Sequence, residues 1–428
     1  MIFRFTYNII LLFLALITLP KYLYQLLKFG KYTSSLKQRF GYGIPTIQKG
    51  EQPLIWLHAV SVGETRALKH LVKEIKQKHP NSILVISNVT ETGHQEAKRS
   101  LPEVNHYIYL PLDLSWIIRP VVKKICPDLV ILCETDYWYN FLSCSKEVGA
   151  KIVVVNGKLS ERSLHRYRMF DKFSQKIFGL VDRFYLQNEL YRERFRQLGI
   201  PKDRLVVTGN LKFDEKVQDV SVNGLREELG IEGTQPVITL GSSHAPEEKM
   251  MLDMLDFIWN KFPKMKLLLV PRHPERFDDV EKILEKHPIS FIRYSRIAEK
   301  TGKENVILID TMGMLRRCYA ISNISLVGGS FFKGVGGHNI LEPCYSGVPV
   351  LFGDYMYSQP DLESIVHDSG AGEQITPSDI PNVLTNLLNS KKLQEKMGTS
   401  GIELVEKLRG ATRKTMDALV QTRYLESE

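Results

Sequence analysis

Short apolar runs, each closed by a turn signal and followed by a helical pattern, recur along most of this chain. Leu54–His58, Ile83–Ser87, Tyr107–Leu110, Leu129–Cys133, Ile152–Asn156 and Phe184–Gln187 read as buried-type strands. Leu68, Leu71, Val72 and Ile75 recur at helical spacing between the first two, and Ile117–Ile125, Tyr139–Val148 and Glu189–Leu198 are further helical stretches. Strand after strand separated by helix predicts parallel α/β sheets with right-handed crossovers. A polar stretch, Asp214–Gln235, breaks the alternation, which resumes with Val237–Leu240, Leu267–Val270, Phe291–Tyr294, Val306–Ile309, Ile324–Val327 and Val350–Phe352. Two α/β domains with a cleft between them follow: residues 41–213, a linker over 214–235, and residues 236–428 including the closing helices. Ligands of such folds sit beyond the carboxyl ends of the strands, so residues just after strands are the ones to weigh.

Residues 1–40 differ from the rest. Phe5–Leu19 is apolar except for Thr6, Asn8 and Thr18, and spans about 22 Å as a helix, against a hydrocarbon core of ~30 Å. Tyr22, Leu23, Tyr24, Leu26, Leu27 and Phe29 prolong the apolar character on one side, with Lys21 and Lys28 able to snorkel. A cleaved signal peptide is the competing reading, but no small-x-small site follows Leu19. An uncleaved anchor fits better. Lys21, Lys28, Lys31, Lys37 and Arg39 all follow the run, so the positive-inside rule puts the remainder in the cytoplasm.

The net charge of +9 favours an anionic partner, and the anchor with no interleaved aromatic–basic stretches argues against nucleic acid. Five cysteines without a C-x-x-C pair read as buried free thiols, not as a disulfide framework or zinc site. Walker A, G-x-G-x-x-G, G-x-S-x-G and H-E-x-x-H patterns are absent, and no D-x-D pair is placed to hold a metal–diphosphate complex; no metal and no cofactor are expected.

In the first domain Glu64 opens a helix directly after a strand, where the helix dipole is expected to lower its pKa and keep it charged. A charged carboxylate there can take a proton from an attacking alcohol. Glu134 ends another strand, so the two carboxylates are either a glycosidase-like pair or one base and one orienting group. Lys212, after a strand and Gly209, can neutralise charge on a departing phosphate. Lys158, Ser160 and Arg162 lie in a basic, hydroxyl-rich segment suited to an acidic acceptor, most naturally an anionic lipid head group.

In the second domain Gly336-Gly337-His338-Asn339 precedes a helix begun by Ile340 and Leu341. Asn339 can cap it, the glycines allow close backbone approach, and Glu342 one turn on can accept ribose hydroxyls. Ser242, Ser243 and His244 form a strand-to-helix loop for phosphate contacts. Pro271-Arg272 ends a strand and offers a rigid guanidinium fork, and Gly313 in Asp310–Met314 allows close approach to a base or ribose.

The separated stretches LHAVSVGETRA (Leu57–Ala67), ETDYWYN (Glu134–Asn140), NGKLSERS (Asn156–Ser163), TGNLKFD (Thr208–Asp214), GSSHAPEE (Gly241–Glu248), PRHPER (Pro271–Arg276), DTMG (Asp310–Gly313) and GGHNILEP (Gly336–Pro343) carry a resemblance. Together they resemble the 3-deoxy-D-manno-octulosonic acid (Kdo) transferases of lipopolysaccharide biosynthesis over nearly the whole chain. The resemblance implies a GT-B fold of two Rossmann-like domains. It also implies transfer of one or more Kdo residues from CMP-Kdo to a lipid A precursor at the cytoplasmic face of the inner membrane. By the same resemblance Glu64 is the catalytic base, Glu134 and Lys212 stabilise the transition state, and Pro271-Arg272, Met312–Met314 and Asn339–Glu342 bind CMP. Met314 departs from the glutamate that many members carry there. The alternative reading is another GT-B enzyme, a transferase or epimerase, using a UDP-sugar.

Overall fold

The structure, a computed structural model, describes residues 2–29, 33–214, 222, 224–422 and 424. Lys31 and residues 215–221 and 223 of the expected linker lie outside the described residues. The chain divides into two units: Met1–Glu215 with Leu408–Glu428, and Lys216–Lys407.

The first unit carries seven strands: β1 (Leu54–Ala59), β2 (Ile83–Asn88), β3 (His106–Tyr109), β4 (Leu129–Cys133), β5 (Lys151–Gly157), β6 (Arg183–Leu186) and β7 (Leu205–Val207). They form one parallel sheet in the order β3-β2-β1-β4-β5-β6-β7. Successive side chains of a strand point to opposite faces, and the core follows that rule. Leu54 and Trp56 join Val130, Phe141 and Phe184 on one side, while Ile55 and Leu57 join Ile86, Ile131 and Val153 on the other. Burial on both faces is why these strands read as continuous apolar runs.

The second unit has β8 (Val237–Ser243), β9 (Lys266–Pro271), β10 (Phe291–Arg293), β11 (Val306–Leu308), β12 (Ile324–Val327), β13 (Val350–Phe352) and β14 (Gly372–Gln374). Their parallel order is β10-β11-β9-β8-β12-β13-β14. The strand β14 escapes sequence reading. It is three residues long with no apolar run, and it forms by pairing with β13 at the sheet edge.

The final helix, Ala411–Gln421, falls with the first unit, although its sequence position suggests the second domain. Its apolar stripe of Ala411, Met416 and Leu419 is buried against Leu57, Tyr185 and Leu211. Asp214 holds its start, accepting from the backbone N–H groups of Gly410 at 2.6 Å and Ala411 at 3.2 Å, and from that of Thr412. A carboxylate at a helix N-terminus is favoured by the unpaired amides and the dipole.

The N-terminal helix runs from Ile2 to Phe29, and its residues 2–28 are long and apolar enough to cross a membrane.

Candidate active site

In each sheet the chain reverses its order beside the first strand, at β1/β4 and at β8/β12. Such a switch point splays the loops at the carboxyl ends of the strands apart and opens a crevice there. The residues singled out in the sequence gather at these two places.

At β1/β4, Ser61 caps the helix Val62–Ala67, and Glu64 folds back over that cap. One Glu64 oxygen accepts the Val60 N–H at 2.7 Å and the other accepts the Ser61 hydroxyl at 3.2 Å. The expected lowering of its pKa by the helix start does not occur. Burial pushes the Glu64 carboxyl above its ordinary value, the Val60 N–H opposes this, and the nearby Glu134 and Asp136 charges raise it further. A six-residue helix contributes too little dipole to outweigh desolvation and two carboxylates.

Glu134 follows β4 with φ 65°, a conformation uncommon for a residue with a side chain, and is nearly fully buried. Its Oε1 receives Lys212 Nζ at 2.6 Å and Asn156 Nδ2 at 3.2 Å, and its Oε2 receives Lys158 Nζ at 2.5 Å. Burial acts to raise its pKa, but Lys212 and Lys158 outweigh that and hold the carboxyl below the usual range. The two carboxylates are therefore driven apart, Glu64 toward a proton acceptor and Glu134 toward a permanent anion. Lys212 is a buttressed ion-pair partner here, not a freely solvated surface lysine. Lys158, expected to meet an acceptor, instead spends its ammonium on Glu134. Ser160 caps the helix Glu161–Met169 through Ser163 N at 3.2 Å, and Arg162 is exposed on that helix.

Sequence reasoning missed His58, Asp136 and Asn156. His58 is fully buried, with Nε2 3.2 Å from Asp136 Oδ2 and Nδ1 2.9 Å from Ser87 Oγ. Asn156, at φ 55°, bonds Glu134 with its amide nitrogen and accepts Leu211 N at 3.0 Å, tying the Lys212 loop to β5. Their signal was available, since His58 and Asn156 are polar residues inside apolar strands.

At β8/β12 lies a cavity of about 360 Å³ lined by Pro271, Arg272, Met312, Gly313, His338, Asn339 and Glu342, with Ser242 and Tyr319 among the remaining walls. That size is at the small end for ligand pockets and suits a nucleotide. Gly313 takes φ +87° and has open space where a side chain would stand, as close backbone approach requires. Gly337 is different. At φ +82° a Cβ would meet Met356 Sδ at 2.2 Å, so the chain itself and not a ligand demands this glycine.

Three CMP-binding expectations change in character. Ile340 and Leu341 are fully buried, and Met314 packs with Ile309, Cys318 and Ile321, so none of the three lines the cavity with its side chain. Apolar side chains beside polar loop residues turn into the core, leaving Asn339 and Glu342 outward. The helix after Asn339 is a single turn, Leu341–Cys344, and Asn339 Oδ1 accepts Leu341 N at 3.1 Å. Ser243 is also withdrawn, donating to buried Glu248 at 2.9 Å while Arg276 grips the same carboxylate at 2.7 and 3.1 Å.

Of the cavity lining, Arg272 and His338 stand with two further imidazoles, His244 and His273. His244 and His338 stack at 5.1 Å with their Nε2 atoms 2.8 Å apart, and His273 meets His244 edge-on at 5.2 Å. Burial, then His244, Arg272 and His273, pull the His338 pKa down to about 4, and burial with His273 and Arg276 lowers that of His244.

A family model described as 3-deoxy-D-manno-octulosonic-acid transferase (kdotransferase) matches residues 34–215. The 3-deoxy-D-manno-octulosonic acid transferase of Chlamydophila psittaci is 37% identical over 388 residues, covering 90% of this chain and 88% of its own. The chain belongs to the Kdo transferase family. The enzyme of that name from Haemophilus influenzae is 33% identical over 398 residues, with 92% of each chain covered. This Kdo transferase is thus a glycosyltransferase. Among solved structures, the UDP-GlcNAc 2-epimerase of Neisseria meningitidis superposes with a TM-score of 0.60 at 15% identity, over 86% of this chain and 100% of that one. This likeness gives the Kdo transferase a GT-B-type fold, built of two Rossmann-like units.

Proposed function

We propose that the enzyme transfers Kdo from CMP-Kdo to a lipid A precursor, with inversion at the anomeric carbon and without a metal ion. Glu64 takes the acceptor hydroxyl proton as that oxygen bonds to the anomeric carbon. The bond from that carbon to the phosphate oxygen breaks, and CMP leaves with the electron pair. Lys212, which with Lys158 outnumbers the Glu134 charge by one, and Arg272 supply positive charge that a metal would otherwise bring. Arg272, Met312, Gly313, Asn339 and Glu342 hold the nucleotide, with Ser242, His244 and His338 toward its phosphate. Ser160 and Arg162 remain candidates for the acceptor's charged groups.

The observation that carries this reading is the opposed tuning of Glu64 and Glu134, one raised by burial and one lowered by two lysines. A base poised above the ordinary carboxylate range suits an alcohol nucleophile. The apolar helix Ile2–Phe29 supports work at a membrane, and the basic residues after it support the cytoplasmic face of the inner membrane.

Mass spectrometry of the lipid formed from CMP-Kdo and a lipid A precursor tests this directly. A mass increase by one or more Kdo residues is expected. No product with that donor, together with displacement of bound CMP by UDP at equal concentration, sinks it in favour of a UDP-sugar enzyme.

A further inference from the structure

The N-terminal helix is tied to the first unit near its start, and the chain is tied to it again shortly after the helix ends. Near its start, Tyr7 donates to buried Asp113 at 2.8 Å, and Asn8 bonds Ser115 Oγ at 2.8 Å and accepts Asn140 Nδ2 at 2.8 Å. Arg4 reaches Ser143 at 2.7 Å and Glu147 at 2.6 Å, while Phe3 packs on Tyr139 with ring centroids 4.6 Å apart. Just past its end, Ser35 is fully buried, and Gln38 accepts Tyr109 N at 2.8 Å. The Arg39 carbonyl accepts Leu112 N at 2.8 Å, one residue from the Asp113 that holds Tyr7. Between the two attachments Ile9, Ile10, Leu12, Phe13, Leu14, Leu16, Ile17 and Leu19 are exposed.

Chain length then restricts how the helix meets a bilayer. Ser34 Oγ is 3.5 Å from Glu91 Oε1 of the first unit, and Ser34 follows Phe29 by five residue steps. Fully extended, five residues reach about 18 Å at most. The hydrocarbon core is ~30 Å thick. With Asn8 held on the same unit, Phe29 cannot stand on the far side of a bilayer whose near side faces that unit. From Asn8 to Phe29 the helix is about 31 Å long, so its axis must incline toward the membrane plane.

We propose that this helix enters and leaves the bilayer through one leaflet, reaching no deeper than about its middle, with the first unit seated on that leaflet. The inference rests on the membrane reading above and says how that membrane is engaged. The surface around the attachments fits the same seat. Leu36, Phe40, Leu112 and Trp116 are exposed beside them, and Lys37 is exposed among these apolar residues. Tryptophan and lysine beside apolar side chains suit the head-group layer of anionic lipid. An apolar surface with no protein cover and attachments on both flanks matches a lipid occupant.

The test adds full-length protein to preformed phosphatidylethanolamine–phosphatidylglycerol vesicles and labels it from outside with a membrane-impermeant maleimide. Cys126, unlike the buried thiol expected from the sequence, is exposed on the first unit and reports the side on which that unit sits; the other four cysteines are buried. In the Lys28→Cys protein, the thiol introduced at position 28 should be modified from outside within about twofold of the extent of Cys126 before the vesicles are lysed. Leu27→Cys, at a position 84% exposed, should behave alike and guards against a poorly folded first variant. Modification at positions 27 and 28 only after lysis, with Cys126 modified before it, means that the helix spans and overturns the proposal. Failure of the unlabelled protein to float with the vesicles removes the membrane reading itself, and this inference with it.

Discussion

Glu64 and Glu134 stand after neighbouring strands, β1 and β4, and their environments push their acidities in opposite directions. The thiol of Cys133, the residue before Glu134, donates to the Glu64 carbonyl at 3.5 Å. Two neighbouring strand ends thus carry the same residue type, one tuned toward taking a proton and one held as an anion.

Replacing the proposed base is the most direct test of that division. Glu64→Gln should lower turnover by about 10²-fold or more while leaving CMP affinity near that of the parent enzyme. Steady-state transfer kinetics alongside calorimetric titration with CMP separate the two quantities. A loss confined to CMP affinity would contradict the assignment.

The proposed role of the same residue implies a pH profile. As a base Glu64 would work deprotonated, and burial holds its pKa above the ordinary glutamate value of about 4.3. Turnover should therefore fall as pH drops through a value higher than that, and this acid limb should be missing from the residual activity of Glu64→Gln.

Glu134 makes a stability prediction of the opposite sign. Its folded pKa lies below the unfolded one, so its contribution is fully present above about pH 4.3 and is lost as pH falls through the folded value. Glu134→Gln should cost about 1–2 kcal/mol at pH 7, less than a fully buried pair because Lys158 and Lys212 are each about 40% exposed and can be resolvated. Denaturant unfolding at pH 7 and pH 3 should show the difference shrinking at the lower pH.

The paired imidazoles predict proton-linked nucleotide binding. His244 and His338 carry lowered pKa values, and a phosphate brought beside them favours their charged forms. CMP should bind with proton uptake and more tightly as pH falls below the ordinary imidazole value of about 6.5 toward 5. His338→Asn should weaken CMP by about tenfold, roughly one charge-assisted hydrogen bond, and reduce the uptake. Calorimetry in buffers of different ionisation enthalpy measures both.

Leu341 separates resemblance from contact. It lies in a stretch expected to bind CMP, yet its side chain is fully buried. Leu341→Ala should destabilise the protein by about 2–5 kcal/mol and leave CMP affinity nearly unchanged in the folded fraction. A large affinity loss without destabilisation would show that the side chain reaches the ligand.

The amino-acid sequence alone determined that there would be parallel α/β sheets, because strands buried on both faces must be apolar throughout and helices must repeat at their own period. It also determined which loops would matter, since those after strands are the ones that open at a switch point. Only tertiary structure decided what each loop residue does there. Lys158 belongs to Glu134, Gly337 answers to Met356, and Ile340 and Leu341 turn into the core, because these contacts join segments far apart in the chain. The direction of the Glu64 pKa shift was likewise undecidable from local pattern, since desolvation and two neighbouring carboxylates come from the folded surroundings. The last helix shows the same division: its place in the chain groups it with the second domain, but Asp214 and burial against Leu57, Tyr185 and Leu211 put it on the first unit.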